Sequence, residues 1–191
     1  MKAISPKDII KPALSLIIIA AVTTGILAVA NSITEPVIEA NNAETAAESM
    51  QEVLPDAVSF SDTYENDEYN VEYAEGYDES GALIGYAVTC YGSGYGGTIT
   101  VMCGISVDNI VTGVAILDID ETPGLGMNAK DEDWLAQFIG KSGTLSVTKS
   151  DTVGDSEIQA LTSATITSKA MVSAVNSALS FVESLGGGTD G

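Results

Sequence analysis

Apolar and polar positions follow different rules in different parts of this chain. Residues 13–34 (ALSLIIIAAVTTGILAVANSIT) contain no charged side chain. A helix of about 20 residues crosses the roughly 30 Å hydrocarbon layer of a bilayer, so the run predicts a transmembrane helix over 13–34. Thr23, Thr24 and Gly25 are tolerable inside such a helix, Pro12 suits its first turn, and Pro36 marks its far end. In residues 35–55, Val37, Ile38, Ala43, Ala46, Ala47, Met50, Val53 and Leu54 recur at mixed three–four spacing. That periodicity predicts a stalk helix, stopped by Pro55. Strand-like runs follow. Ala82–Tyr91 and Thr98–Val107 flank the glycine-rich Gly92–Gly97 and predict a β-hairpin. Ile110–Ile119 reads as a third strand and Gly143–Lys149 as a shorter fourth. Between them, Trp134, Leu135 and Phe138 stand at helical spacing within Glu132–Ile139, ahead of Gly140. A last helix is predicted over Ser168–Leu185, with Met171, Ala174, Val175, Ala178, Val182 and Leu185 on its apolar face. The tail 187–191 is expected to be disordered.

These elements define an α+β fold: a single N-terminal transmembrane helix, a stalk, and one domain over 56–186 built on an antiparallel sheet with flanking helices. Residues 56–80 are acidic and carry Tyr64, Tyr69, Tyr73 and Tyr77. A solvated edge strand with loops is the expectation there, and calcium binding the alternative.

Charge adds a direction. The 191 residues carry 27 Asp and Glu against 7 Lys, with no Arg and no His, for a net charge of −20. So few cations cannot displace the counterions of a phosphate backbone, which excludes nucleic-acid binding. Lacking histidine, the chain has no His-ligated zinc, no Ser-His-Asp triad and no His base. Two cysteines alone cannot ligate an iron–sulfur cluster. Lys2, Lys7 and Lys11 precede the apolar run; Glu35, Glu39, Glu44, Glu48 and Glu52 follow it, with no Lys before Lys130. By the positive-inside rule, residues 1–12 are cytoplasmic and the domain is extracytoplasmic. The competing reading is a cleaved signal peptide, with Ala28-Val29-Ala30 the nearest cleavage site. If Gly96-Gly97 were the centre of a two-residue turn, Cys90 and Cys103 would face each other, and an exported domain would permit a disulfide. Two buried, free cysteines are the expected alternative.

Two segments carry candidate chemistry. Glu121-Thr122-Pro123-Gly124-Leu125-Gly126 directly follows a strand. It is rigid and poor in side chains, so a flat ligand can approach its backbone. The second segment, Ala160–Ser168 (ALTSATITS), opens the last helix with five hydroxyls: Thr162, Ser163, Thr165, Thr167 and Ser168. One hydroxyl suffices for an N-cap. The surplus, at the positive end of a helix dipole, points to an anion such as a phosphate. A domain this acidic repels a free anion, and covalent attachment removes that difficulty.

Together, in this order and behind one N-terminal span, the two segments resemble those of the G subunit of the Rnf electron-transport complex. That FMN-binding family is related to the C subunit of the sodium-pumping NADH:quinone reductase. The resemblance extends over YGGTITVMCGI (Tyr95–Ile105), ILDIDETPGLG (Ile116–Gly126) and WLAQFIGKSG (Trp134–Gly143), and so over essentially the whole chain. It implies an FMN bound covalently through its phosphate to Thr165, the last residue of Thr162-Ser163-Ala164-Thr165, where the family has Ser/Thr-Gly-Ala-Thr. A dedicated flavin transferase would make the bond with FAD as donor. Ser163 in place of Gly is mildly costly if that backbone needs a positive φ. The resemblance also implies that Glu121–Gly126 lines the flavin, with Thr162, Ser163, Ala164 and Thr167 beside it. The His that family members often carry shortly before the Glu-Thr-Pro-Gly-Leu-Gly loop is replaced here by Ile119, so no proton-transfer role carries over. The function implied is a one-flavin electron relay, not catalytic on its own. It would sit among the other membrane subunits of a complex that passes electrons between ferredoxin and NAD⁺ and moves Na⁺ or H⁺. The alternatives are the FMN subunit of the quinone reductase, an extracellular FMN carrier, or a tethered acidic binding module without flavin.

Overall fold

The computed structural model describes residues 6–150 and 152–186, with side chains over 14–34, 45–150 and 152–186. Residues 1–5 of the predicted cytoplasmic flank and the predicted disordered tail lie outside the described residues. The chain divides into two units, one ending at Glu44 and the other beginning at Thr45. Helix α1 (Pro6–Val53) carries, within the first unit, the apolar stretch Leu14–Thr34, 21 residues long and with no part of it buried by the protein. That length and composition suffice to cross a membrane. The hydroxyls of Thr23, Ser32 and Thr34 donate back to carbonyls three or four residues earlier, which satisfies them without water. The apolar stretch ends at Thr34, just before Pro36, and the backbone stays helical past it.

The second unit is organised around an antiparallel sheet. Its strands are β1 (Ser59–Phe60), β2 (Tyr64–Asn66), β3 (Val71–Tyr77), β4 (Leu83–Ser93), β5 (Thr98–Ser106) and β6 (Val111–Asp118). The main path runs β1-β3-β4-β5-β6, and β2 also pairs with β3. Irregularities at Gly76/Tyr77, Thr100/Val101 and Gly104/Ile105 shift the register and curl the sheet. Helix α3 (Thr165–Gly186) packs on one face. Ile99, Val101, Cys103 and Ile105 of β5 point toward it and meet Met171, Ala174, Val175, Ala178 and Phe181 in the main core. The opposite face buries Ala87, Met102 and Ala115 against Val53, at the end of α1. The Thr112 hydroxyl donates to the Val53 carbonyl at 2.6 Å, satisfying one of the acceptors left open where that helix ends.

Four expectations need correction. The acidic 56–80 region holds an interior strand: β3 pairs on both sides, and Tyr69 meets Phe181 edge-on while Tyr73 packs against it at a tilt. Their rings add apolar area to a segment whose charges alone suggest solvent. The predicted fourth strand is the short β7 (Ser146–Thr148), paired in parallel with β8 (Glu157–Gln159) outside the main sheet. The helix at Glu132 keeps one α-helical turn, α2 (Glu132–Leu135), before tightening to a 3-10 turn over Ala136–Phe138. Asp131 caps α2 by accepting from the Asp133 N–H at 3.0 Å, and Trp134 Nε1 donates to the Gln159 carbonyl at 2.8 Å. Finally, α3 begins three residues earlier than its apolar periodicity suggests, at Thr165.

The hairpin between β4 and β5 closes with Ser93 opposite Thr98, leaving Gly94–Gly97 as a four-residue loop. The register therefore sets Cys90 opposite Val101 and Cys103 opposite Val88. The two cysteines are diagonal neighbours, both buried and free, with 3.6 Å between sulfurs. The contact with Cys103, together with burial, raises the Cys90 pKa well above its ordinary value. The thiol thus stays neutral at pH 7–8, and a neutral thiol is a poor nucleophile. An aromatic disulfide reagent at pH 8 is expected to leave the folded domain essentially unlabelled and to titrate both thiols in denaturant. Rapid labelling of the folded domain would contradict this packing.

Candidate functional site

The β6 strand delivers the chain to Glu121, whose side chain is 6% exposed. From there the loop turns sharply. Gly124 adopts φ +74°, a conformation that side chains resist, and the Leu125 and Met127 N–H groups both donate to the Thr122 carbonyl. A 3-10 turn over Gly126–Lys130 follows. Gly126 is required by close approach. A Cβ there would lie 2.6 Å from Glu121 Oε2 and 2.8 Å from Thr167 Oγ1, so only glycine lets the loop close onto the start of α3.

The start of α3 is built by Ser168. Its buried hydroxyl donates to the Ala164 carbonyl at 3.0 Å and accepts the Leu161 N–H at 2.9 Å. Ser168 thereby holds the incoming chain, and the helix enters from Ala164, which has no side-chain oxygen to cap it. Among the described residues, no bond to the N–H groups of Thr165, Ile166 or Thr167 is seen. Three open amides at the positive end of a 22-residue helix form a receptor for an anion. Ser163, just before them, stands at φ +62°, the left-handed conformation that would make a side chain costly at this position. That conformation costs a non-glycine residue roughly 1–2 kcal/mol, part of which glycine gives back in chain entropy. Ser163→Gly is therefore expected to raise stability by up to about 1 kcal/mol, read as a higher thermal midpoint. A lower midpoint would show that the Ser163 hydroxyl stabilises the turn.

Glu121, Thr122, Leu125 and Gly126 from the first motif, and Ser163, Ala164, Thr165 and Thr167 from the second, surround one cavity of about 480 Å³. That is within the size range of small-molecule sites, roughly 300–1,000 Å³. Thr162, Pro123 and Gly124 of the same two motifs do not line it; Thr162 and Pro123 face solvent, and Gly124 shapes the turn. Tyr95 and Ile166 complete the wall. Ile166 lies within the second motif but bears no hydroxyl, and Tyr95 lies outside both, although a lone tyrosine among glycines at a hairpin tip is a signal that the sequence does carry. Ile119 is buried in the core. A larger cleft of about 570 Å³ runs beside α3, lined by Glu68, Tyr69, Lys169 and Asn176 among others, and touches neither motif. The donor set of the smaller cavity fits an FMN phosphate: open helix amides, an adjacent Thr165 hydroxyl and a loop that only glycine can close. Its apolar remainder fits a flat ring.

The curled antiparallel sheet with its helices, and this cavity between the β6 loop and the helix start, define an FMN-binding domain. Residues 94–180 match the FMN-binding domain family, and residues 1–53 match the RnfG N-terminal region. The chain is 38% identical to the G subunit of the Na⁺-translocating ferredoxin:NAD⁺ oxidoreductase complex of Acetobacterium woodii, over 94% of each chain. It is 32% identical to the G subunit of the ion-translocating oxidoreductase complex of Methanosarcina acetivorans, over 92% of this chain and 95% of that one. The fold is similar to that of Shewanella oneidensis NqrC, with a TM-score of 0.51 and 20% identity over 68% of this chain and 72% of the other. The protein belongs to the family of G subunits of the Rnf ion-translocating oxidoreductase complex. Its single N-terminal apolar helix fits a single-pass anchor in a membrane complex.

Proposed function

We propose that this chain is the FMN-bearing electron relay of an ion-translocating ferredoxin:NAD⁺ oxidoreductase, with the flavin joined covalently to Thr165. The observation that carries this reading is the Thr165 hydroxyl beside three unpartnered helix amides, in a cavity closed by the Glu121–Gly126 loop. The isoalloxazine ring supplies the redox chemistry, accepting one or two electrons. The chain supplies position. The amides of Thr165, Ile166 and Thr167 would receive the phosphate oxygens and offset the repulsion of a chain at −20. Thr165 would be the acceptor in attachment: its Oγ1 would give up a proton and take the FMN phosphate from FAD, the pyrophosphate P–O bond breaking and AMP leaving, in a step that a flavin transferase would catalyse. The bond makes retention independent of affinity, which suits a cavity lined by no lysine or arginine.

The same reading places residues 1–12 in the cytoplasm, the span at 13–34, a stalk at 35–55 and the flavin domain outside the cell membrane. Other membrane subunits of the complex would be its electron partners. The coupling ion does not transfer from relatives. The Acetobacterium woodii protein is named for Na⁺, whereas that of Clostridium ljungdahlii, 31% identical over 85% of each chain, is named for proton translocation.

Intact mass of the full chain, co-expressed with a flavin transferase and purified in detergent, tests the proposal. A gain of roughly 438 Da, FMN less one water, is expected. An unmodified mass from cells in which the transferase is active would overturn it.

A further inference from the structure

The loop between β4 and β5 is Gly94-Tyr95-Gly96-Gly97, so Tyr95 supplies its one side chain beyond hydrogen. That side chain is 74% exposed, yet it lines the Thr165 cavity. Leu125 and Ile166, on the same wall, are 40% and 52% exposed. Three large apolar side chains around one cavity thus leave much of their apolar area unburied by folding. They form a surface on which a flat apolar ring can be buried.

The loop is also held in place. Glu121 Oε1 accepts the Tyr95 N–H at 2.6 Å and the Gly96 N–H at 3.3 Å. The Gly94 N–H donates to the Gly97 carbonyl at 2.8 Å, closing the turn. A Cβ on Gly94 would run into the Glu121 carboxylate, and one on Gly96 into the Asp120 carbonyl. The loop is therefore seated directly on Asp120–Glu121. Burying a carboxylate is costly unless its acceptors are used, and Glu121 uses one oxygen on the tip of this hairpin.

We infer that Tyr95 is the aromatic wall against which the isoalloxazine packs, and that Glu121 is a positioning residue that clamps the hairpin tip so that Tyr95 stands over the cavity. The inference rests on the FMN reading above. It gives Glu121 a role through the protein backbone, while the start of α3, which lines the same cavity, would hold the phosphate. A tyrosine packed on a flavin quenches its fluorescence by electron donation to the excited ring, so the arrangement has a direct optical readout.

The test measures fluorescence per covalently bound flavin, with flavin counted by absorbance, on the full chain matured with a flavin transferase. Wild type is expected to be dim. Y95L is expected to brighten several-fold at equal flavin loading, and Y95W, which restores an aromatic electron donor, to stay dim. E121Q keeps an oxygen that accepts both N–H groups and is expected to resemble wild type, whereas E121A is expected to brighten as Y95L does. Unchanged fluorescence in Y95L would overturn the role of Tyr95. E121Q as bright as E121A would overturn the clamp, because charge rather than geometry would then matter. A wild-type chain carrying no flavin would instead sink the FMN reading itself, and this inference with it.

Discussion

Thr165→Val is expected to abolish covalent flavin while leaving the fold intact. Valine replaces the hydroxyl by a methyl of nearly the same size, so the start of α3 keeps its shape. Thr165 is half-buried, and its side chain makes no hydrogen bond among the described residues, so stability should change by no more than about 1 kcal/mol. The chemical effect is total, because no Oγ remains to bond phosphorus. On a denaturing gel under ultraviolet light the variant band should be dark and the wild-type band bright, with superimposable thermal melts. Thr162, Ser163 and Thr167 stay in place as internal controls. A band that remains fluorescent would move the attachment to one of them.

Gly126→Val is expected to have the second-largest effect, acting on stability and loading together. Its first added carbon would meet Glu121 Oε2 at 2.6 Å and both Glu121 Cβ and Thr167 Oγ1 at 2.8 Å. Thr167 is 1% exposed and has little room to yield. Overpacking of this kind costs roughly 1–3 kcal/mol, and relief requires the loop to leave the helix start, which opens the cavity. A lower thermal midpoint and a clearly reduced flavin-to-protein ratio should appear together. Gly124→Ala separates space from backbone strain. Gly124 has φ +74°, and an added Cβ there would have no neighbour within 4 Å. The variant should lose about 1 kcal/mol from strain alone and keep its flavin. Equal loss of flavin in both variants would show that the turn, not close packing, governs loading.

Much of the site is legible in the sequence because each motif has a local physical reason. Surplus hydroxyls before an apolar periodic run mark a helix start that does more than cap itself. Proline and two glycines after a strand mark a tight loop. Neither pattern states that the loops meet, and the Gly126–Thr167 approach joins residues about 40 positions apart in the chain. Tyr95 escapes a reading of local pattern for the same reason. Its role depends on Glu121, 26 residues further on, accepting its N–H. The periodicity places the start of α3 too late because Thr165, Ile166 and Thr167 are β-branched and weak helix formers. Tertiary packing of Thr167 and Ser168 overrides that preference.

The sequence by itself determined the apolar span, the hairpin, the amphipathic last helix and the two motifs, since each depends on periodicity or on residues adjacent in the chain. The tertiary structure alone decided that β3 lies inside the sheet, that β7 pairs with β8 in parallel, that the hairpin loop has four residues and so leaves the cysteines diagonal, and which members of each motif face the cavity. Those outcomes depend on long-range register and close packing, where a single residue of shift or a single added carbon changes which groups meet.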